Sequence, residues 1–389
     1  MKAVVILPTY QEKGNVERVI PILQDKIFPK IANYEMSILV ADDNSPDGTA
    51  EEVRKLMKKY KNLNILEGEK KGLGAAYVRG MTYAIETMKA DVVFEMDADL
   101  SHDPYKIPEF LKKIDEGYDM VIGTRYSDGG SIPSNWGLIR KVYSIFGNLL
   151  VRSILMRFAI HDWTGGFRAL RKEVFIKEKP KLTVFQGYTF QVSFLHKAVQ
   201  DKFKIAEVPI HFTDRTLGKS KIAPREYIVN LLKYVFTARF IEILNSPFPK
   251  YALTGFIGYA INAIGLELFK KHLGVNSGVA ASMGAELSII WNFTVNNLWT
   301  FSSQRITDPL RIIPKFIQFN LVSIGSLIII GTVVGITTHI FGDTGIVRQV
   351  SLVIAIGFFV IPYSYSMYNI FIWKRWKIPF LARIQKITG

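Results

Sequence analysis

The chain contains the stretch VVFEMDADLSHDP (Val92–Pro104), and the order of its residue types decides the fold around it. Val92–Met96 is a short apolar run of the kind that forms a buried parallel strand. Two aspartates, Asp97 and Asp99, follow it at once, and Pro104 stands where the first residue of a helix is expected. A strand, an acidic turn and a helix in this order predict an α/β unit.

The same alternation extends on both sides of this stretch, to about residue 225. Further short apolar runs predict strands at Ala3–Leu7, Ser37–Ala41 and Met120–Ile122. Periodic patterns predict helices at Asn15–Lys26, Thr49–Tyr60, Gly74–Met88 and Pro104–Asp115. This alternation predicts an α/β domain with a parallel sheet. Ligands bind such sheets beyond the carboxyl ends of the strands, so polar residues that follow strands are candidate site residues.

Asp97 and Asp99 are the first candidates. Two carboxylates two residues apart repel each other, and a hard divalent cation with oxygen ligands relieves the repulsion. Mg²⁺ takes one or two carboxylates and completes its shell with substrate phosphates. Asp99 is therefore a candidate metal ligand, with Asp97 on the metal or on a bound donor. The spacing alone leaves open that the two aspartates cap a helix or stay solvated.

The last part of the chain is apolar. Four runs, each near the roughly 20 residues that a bilayer requires, predict membrane spans at Tyr251–Phe269, Gly278–Phe301, Phe316–Ile340 and Ile346–Trp373. With a cytoplasmic N-terminal domain, eight basic residues of the loops and tail lie inside and three outside, in agreement with the positive-inside rule. An even number of spans would return the C-terminus to the cytoplasm. Buried helices of a soluble protein are the alternative.

A linking segment precedes these spans. Glu226–Asn245 has the pattern of an amphipathic helix, which either lies in the membrane interface or packs on its own domain. Ser246–Pro249 should end it. The expected organisation is therefore a domain at 1–225, an interfacial helix and linker at 226–249, an all-α four-helix transmembrane domain at 250–375 and a basic cytoplasmic tail at 376–389.

The formal net charge is +15. From Lys250 onward there are 12 Lys+Arg and 4 Asp+Glu, and before it 37 and 30, so the two parts carry +8 and +7. Because the charge is shared rather than concentrated in one patch, no nucleic-acid partner is expected. A positive surface suits anionic membrane lipids and phosphorylated ligands, although simple solubility explains it as well. The chain has no cysteine, which excludes disulfides, thiolate metal sites and a cysteine nucleophile.

Several motifs follow the predicted strands or open a helix. In chain order they are LPTYQE (Leu7–Glu12), ADDNSPDGT (Ala41–Thr49), KGLGAA (Lys71–Ala76), DADLSHDP (Asp97–Pro104), GTRY (Gly123–Tyr126) and DWTGGFR (Asp162–Arg168). Together they resemble glycosyltransferase family 2, whose fold is the Rossmann-like GT-A fold. Four segments are similar to motifs of the dolichyl-phosphate mannose synthases: DADLSHDP, GTRY, GYTFQ (Gly187–Gln191) and DRTLGKSK (Asp214–Lys221). WNF (Trp291–Phe293) and WTF (Trp299–Phe301) give the apolar half a resemblance to the GtrA-like four-span domain.

The resemblance assigns roles to individual residues. It implies donor contacts for Pro8, Tyr10, Glu12, Ala41, Asp43, Asp97, Ala98, Asp99, Arg125, Arg215 and Lys221. Asp99 and Ser101 would hold Mg²⁺ or Mn²⁺, and the catalytic residues would be Asp97, Asp99 and Arg125. The phosphate of the acceptor would be bound by Arg125, Arg140 and Ser144. Asp43 could instead cap a turn, which its neighbours allow.

The implied reaction is transfer of mannose from GDP-mannose to dolichyl (polyprenyl) phosphate, by one in-line displacement with inversion. A phosphate monoester has a second pKa of about 6, so this acceptor is anionic near neutral pH and needs no general base. Ser193, where relatives often carry a glutamate, is therefore tolerable. His102 and His161 could serve as bases but are more simply structural.

Three alternatives stay open at this point. The donor could be UDP-glucose or another nucleotide sugar. The chain could be a processive polysaccharide synthase, although it lacks the Gln-x-x-Arg-Trp motif typical of those enzymes. The spans could translocate a lipid-linked sugar under a regulatory soluble domain. The sequence also leaves open whether the chain forms a homo-oligomer.

Overall fold

A computed structural model of the chain describes residues 1–182, 188–214 and 224–376. The chain divides into two compact units, Met1–Arg239 and Phe240–Gly389. The first unit contains a seven-stranded sheet with the order β3-β2-β1-β4-β6-β5-β7. Its strands are β1 (Lys2–Thr9), β2 (Glu35–Asp42), β3 (Leu63–Glu67), β4 (Val92–Glu95), β5 (Met120–Thr124), β6 (Arg168–Arg171) and β7 (Ile205–Pro209).

The sheet is mixed rather than purely parallel, which corrects the sequence-based expectation. β6 runs antiparallel to both of its neighbours, β4 and β5, while the other pairs are parallel. The reason is that the long connection after β5 begins and ends at the carboxyl edge of the parallel strands, so β6 enters the sheet from that edge and runs in the opposite direction. The four strands predicted from apolar runs are confirmed within a few residues.

Helices cover both faces of this sheet. They are α1 (Lys13–Pro21), α2 (Thr49–Lys59), α3 (Leu73–Glu86), α4 (Ile107–Asp115), α5 (Leu138–Leu155), α6 (Lys172–Leu182), α7 (Tyr188–Gln200) and α8 (Pro224–Leu244). Short π- or 3₁₀-helical turns extend α1 at Ile22–Ile27 and Phe28–Lys30 and precede α4 at Pro104–Lys106. The four predicted helices are confirmed, with ends that differ by a few residues.

Alternation along the strands builds two cores. In β1, Val5 faces a core formed with α1, α2 and α4, whereas Val4 and Ile6 face a second core formed with α3 and α5–α8. Such alternation is what a strand buried on both faces requires. The α/β prediction is therefore confirmed.

α8 has features of both interpretations of the linking segment, a helix packed on its own domain and a helix with an exposed apolar side. Leu231 and Val235 are buried in the second core, so one side of the helix packs on its own domain. Phe236 and Phe240 are exposed on the other side. The helix ends at Leu244 and the next begins at Phe248, close to the predicted break. The domain limits predicted at 225 and 249 stay predictions.

The second unit is helical. It contains α9 (Phe248–Leu273), α10 (Ser277–Val295), α11 (Pro309–Phe341), α12 (Gly345–Ile354) and α13 (Ile361–Met367), with π-helical turns at Asn296–Thr300, Ala355–Val360 and Tyr368–Ile372 and a 3₁₀ turn at Ser302–Gln304. Among the described residues, three helical stretches are long and apolar enough to cross a membrane: Phe248–Leu273, Pro309–Phe341 and Gly345–Ile372.

The second of the four predicted spans, 278–301, is not among these three stretches. α10 lies there, and its 19 residues include Glu286 and Asn292. The span at 278–301, and the even number of crossings that depends on it, therefore stay predictions.

A buried ion pair connects β6 to β4. Glu95 and Arg168 are register partners in the antiparallel ladder, both are fully buried, and Glu95 Oε2 lies 3.9 Å from Arg168 Nε. The Arg168 guanidinium also donates hydrogen bonds to the carbonyls of Gly165 (2.9 Å), Gln191 (2.8 Å) and Trp163 (3.4 Å). Burial raises the pKa of Glu95 to about 7, although Arg168 acts in the opposite direction.

Replacing Arg168→Leu should lower the free energy of unfolding by about 3 kcal/mol, because it leaves Glu95 and three carbonyls buried without a donor. Thermal unfolding of the full chain in detergent measures the effect. The control is Lys172→Ala. The Lys172–Asp91 pair links the residues next to the ends of the same strands at 2.8 Å, but both side chains are more than one-third exposed, and exposed pairs contribute at most about 1 kcal/mol. Equal losses in both variants would contradict the importance of the buried pair.

Candidate active site

The carboxyl ends of β2, β1 and β4 lie side by side, because these strands are adjacent and parallel. Each is followed by a non-glycine residue with left-handed backbone geometry: Asn44 (φ 52°), Gln11 (φ 57°) and Leu100 (φ 61°). This conformation is uncommon for a bulky residue such as leucine, and it concentrates at functional sites. The three sharp turns gather the polar side chains of three motifs at one edge of the sheet.

The predicted nucleotide pocket is brought together at this edge. Pro8 and Ala41 are register partners in β1 and β2, and the Asp43 amide donates to the carbonyl of Thr9 at 2.9 Å. The ammonium of Lys70 lies 3.5 Å from the centre of the Tyr10 ring. Lys70 was not predicted, and nothing in its local sequence distinguishes it from other lysines.

Glu12 has a structural role at the start of α1. Its carbonyl accepts the amides of Asn15 (3.0 Å) and Val16 (2.9 Å), and its own amide donates to Thr49 Oγ1 at 3.1 Å. Its carboxylate accepts a hydrogen bond from Asn15 Nδ2. The residue thus joins the turns that follow β1 and β2.

The two adjacent aspartates in the turn after β2 have different hydrogen-bond partners. Asp42 is fully buried and accepts hydrogen bonds from Thr9 Oγ1 (2.8 Å) and from the amide and hydroxyl of Ser45 (2.8 and 2.6 Å). Asp43 instead accepts from Arg79 Nη2 at 2.8 Å. Burial raises the pKa of Asp43, and Arg79 opposes that shift. Asp42 is therefore the turn-stabilising carboxylate, which favours a ligand-binding role for Asp43.

The turn after β4 holds Asp97, Ala98, Asp99 and Ser101. Tyr77 donates its hydroxyl to Asp97 Oδ1 at 3.2 Å, and the Ser101 amide donates to Asp99 Oδ1 at 3.0 Å. Asp99, Ala98 and Ser101 are buried, whereas the Asp97 side chain is one-third exposed.

His102 supports this turn. Its Nδ1 accepts the Asp97 amide at 3.1 Å, and its ring stacks on Phe167 at a centroid distance of 5.2 Å. These contacts agree with a structural role for His102 rather than that of a base.

The oxygen atoms of this turn fit a hard divalent cation. Asp97 and Asp99 supply carboxylates and Ser101 a hydroxyl, which is the ligand chemistry that Mg²⁺ and Mn²⁺ prefer when substrate phosphates complete the shell. Within the described ranges no group of three or more His, Cys, Asp or Glu could hold a metal by itself. The residues thus fit a cation shared with a phosphorylated ligand.

Arg125, which follows β5, is held by Asp162. Its Nε and Nη2 donate to the two oxygens of the Asp162 carboxylate at 2.7 and 2.8 Å, and Nη2 also donates to Thr164 Oγ1 at 2.7 Å. Burial alone would raise the pKa of Asp162, but Arg125 and the hydrogen bonds to the carboxylate hold the pKa below its ordinary value. This bidentate pair fixes the direction of the guanidinium before any ligand arrives.

The close packing around this pair explains one glycine of DWTGGFR. A Cβ at Gly165 would lie 2.9 Å from the carbonyl oxygen of Gly123, closer than real Cβ atoms come to a neighbour. The sequence revealed the motif, but not that Asp162 is the partner of Arg125.

The predicted acceptor-binding residues are assembled by aromatic side chains. Arg140 and Ser144 are four residues apart on α5 and therefore share a face. Ser144 Oγ lies 2.6 Å from the hydroxyl of Tyr126, whose ring is 5.2 Å from the guanidinium carbon of Arg125. The guanidinium of Arg140 stacks on Trp136, with 3.8 Å between its carbon and the ring centre.

Phe212 lies between these groups. Its ring is 5.5 Å from the guanidinium carbon of Arg125, 5.9 Å from Trp136 and 5.9 Å from His102. Trp136, Tyr126 and Phe212 were not predicted as site residues. The donor contacts expected from Arg215 and Lys221 lie outside the described residues.

The opposite face of α5 is apolar and exposed. Its members are 48–77% exposed, and they are Leu138, Ile139, Val142, Ile145, Phe146 and Leu149. An apolar surface of this length is unusual on a soluble domain and indicates a lipid or protein contact.

Comparison with known proteins gives matches along most of the chain. The profile of glycosyl transferase family 2 matches residues 4–178, and the GtrA/DPMS transmembrane domain matches residues 250–373. A dolichol-phosphate mannosyltransferase from Pyrococcus furiosus is 33% identical over 330 residues, which are 85% of this chain and 88% of that protein. A polyprenol monophosphomannose synthase from Mycolicibacterium smegmatis is 37% identical over 224 residues, 57% of this chain and 81% of that protein.

Solved structures are more distant. A glucosyl-3-phosphoglycerate synthase from Mycobacterium tuberculosis, in complex with Mn²⁺ and UDP-glucose, is 16% identical with a TM-score of 0.43, and the match covers 61% of this chain and 78% of that one. A likeness this remote says nothing about the ligands of the present chain.

The Arg125–Asp162 pair should make stability depend on pH. Because the folded-state pKa of Asp162 is depressed, its stabilisation is fully present above the unfolded value of about 4 and is lost as the pH falls through the folded value. At pH 7, Asp162→Asn should therefore be about 2 kcal/mol less stable than the unchanged chain. Unfolding measured between pH 7 and pH 2 should show this difference shrink below about pH 4. A difference that does not vary with pH would contradict the ion pair, and the exposed Asp128→Asn is the control.

Proposed function

The chain belongs to glycosyltransferase family 2, and we propose that it transfers mannose from GDP-mannose to a dolichyl (polyprenyl) phosphate. The observation that carries the proposal is the junction at Phe212. One of its neighbours is His102, which supports the acidic turn, and another is Arg125, which belongs to the cationic group. A nucleoside diphosphate and an anionic acceptor could thus meet at one place.

The donor would lie over the ends of β1, β2 and β4. A carboxylate accepts hydrogen bonds at two oxygens, so Asp43 can bind Arg79 and the N–H groups of a guanine edge at the same time. Pro8, Tyr10, Glu12 and Ala41 would line the base and ribose. Mg²⁺ or Mn²⁺, when held by Asp99 and Ser101 with Asp97 beside it, would neutralise charge on the leaving diphosphate.

The acceptor phosphate would be oriented by Arg125, Arg140 and Ser144. One of its oxygens forms a bond to the anomeric carbon of mannose while the bond from that carbon to the diphosphate oxygen breaks, which inverts the carbon. The acceptor oxygen is already ionised, so no side chain needs to remove a proton. Ser193 fits this scheme, because it is fully buried and donates its hydroxyl to the carbonyl of Phe190 at 2.9 Å.

The helical unit and the apolar face of α5 would serve the lipid part of the acceptor. The GtrA/DPMS match and the three apolar helical stretches make the chain a membrane protein. The distribution of basic loop residues supports a cytoplasmic catalytic domain. In this arrangement the exposed apolar face of α5 would lie towards the lipid from which the acceptor comes.

The direct test is nucleotide release by the purified full chain in detergent, with GDP-mannose or UDP-glucose and a short polyprenyl phosphate. We expect GDP release that requires both the lipid phosphate and a divalent cation, is lost on chelation and returns with Mg²⁺ or Mn²⁺. Preference for UDP-glucose would show that the proposed donor is wrong. Release that does not depend on lipid phosphate would show that the proposed acceptor is wrong.

Asp99→Ala should lower the rate of transfer by about a hundredfold or more, because a charge that develops on the leaving group would lose its support. The variant should unfold at nearly the same temperature as the unchanged chain. Asp103→Asn is a matched control four residues away, since Asp103 only caps the turn before α4 by accepting the amide of Tyr105. Normal transfer by Asp99→Ala would exclude Asp99 as a metal ligand.

A further inference from the structure

Asp214 lies against a residue that is assigned to the acceptor. Its Oδ1 is 3.1 Å from Arg140 Nη1, and it also accepts the indole N–H of Trp136 at 2.8 Å. The guanidinium of Arg140 is therefore held between the Trp136 ring and the Asp214 carboxylate. We call these three residues the Asp214 cluster.

The position of Asp214 does not depend on Arg140. The neighbouring Thr213 donates its amide to the carbonyl of Ser101 at 3.3 Å and its hydroxyl to that of Leu100 at 3.0 Å. The Trp136 indole provides a further hydrogen bond to the carboxylate itself. Asp214 is thus fixed beside the acidic turn and stays within reach of Arg140 if that side chain changes partner.

The bond between Arg140 and Asp214 is easily exchanged. Their side chains are 56% and 33% exposed, and ion pairs this open to water are weak because solvent screens them. A phosphate offers the same kind of oxygen pair to a guanidinium that a carboxylate offers. An arriving phosphate can therefore take over Arg140 at little cost.

We propose that Asp214 is an internal competitor of the acceptor phosphate for Arg140, and that it sets how tightly lipid phosphates bind. This inference rests on the proposed function. A phosphate monoester carries close to two negative charges above pH 7, and it binds Arg140 in preference to Asp214.

The transfer step changes this balance. When the acceptor oxygen forms its bond to the anomeric carbon, the monoester becomes a diester with one negative charge, and the other charge leaves with the diphosphate. A singly charged diester is the weaker ligand for Arg140. Asp214 then regains the guanidinium, which speeds the release of the product.

The test is equilibrium binding to the full chain in detergent at pH 8, with farnesyl phosphate as the monoester and its methyl diester in place of the product. Asp214→Asn keeps the shape of the side chain and removes its charge. We expect it to bind both ligands about fivefold more tightly than the unchanged chain, and to be inhibited at correspondingly lower diester concentrations.

The double variant Arg140→Ala/Asp214→Asn isolates the competition. In the Arg140→Ala background, Asp214→Asn should leave the affinity unchanged, because there is no guanidinium to compete for. Asp128→Asn, which removes an exposed carboxylate elsewhere, should also leave it unchanged. Weaker binding by Asp214→Asn, or equal tightening with and without Arg140, would overturn the proposal.

Binding without donor separates this proposal from the proposed function. If farnesyl phosphate binds with the expected pattern but GDP-mannose is not consumed, the assigned reaction fails and the competition stands. If farnesyl phosphate does not bind to the unchanged chain, both fail.

Discussion

The active-site edge depends on one fully buried guanidinium, that of Arg168. A buried charge is costly unless each of its donors has an acceptor. Arg168 meets this condition with the carbonyls of Trp163, Gly165 and Gln191 and with Glu95 beside it. Because two of those carbonyls belong to the DWTGGFR loop, the same contacts that place β6 in the sheet also fix the loop that begins at Asp162. Asp162 in turn fixes Arg125, so the direction of this largely buried cation is set from within the core.

At the same edge of the sheet, neighbouring aspartates have different partners. Asp42 and Asp43 are adjacent in sequence, yet one satisfies a turn and the other faces Arg79. Asp97 and Asp99 are two residues apart and share a turn whose backbone is bent at Leu100. In each case two like charges lie close together in the chain, and a residue with left-handed backbone geometry, Asn44 or Leu100, follows them. A divalent cation that is shared with a phosphorylated ligand would relieve the repulsion between Asp97 and Asp99.

Much of this arrangement could be predicted from the sequence, because apolar runs and strand-end motifs are local signals. The antiparallel β6 could not. It is only four residues long, and the pairing of Arg168 with Glu95 that identifies it joins residues far apart in the chain. For the same reason, three partners could not be predicted: Arg79 for Asp43, Asp162 for Arg125 and Asp214 for Arg140. Partners that are far apart in the chain leave no periodic signal in the sequence. The second predicted span is undecided for a different reason: α10 has only 19 residues, and two of them are Glu286 and Asn292.

α5 meets two opposite requirements of an enzyme that acts on a lipid phosphate. The phosphate requires cations and hydrogen-bond donors, whereas the hydrocarbon requires a surface free of both. A helix satisfies both needs because residues four apart share a face while residues between them point elsewhere. Arg140 and Ser144 lie on the face towards Trp136 and Tyr126, and the exposed apolar residues of α5 occupy the other face. Asp214 completes this arrangement, since its competition for Arg140 limits how firmly a site with several cations retains the product.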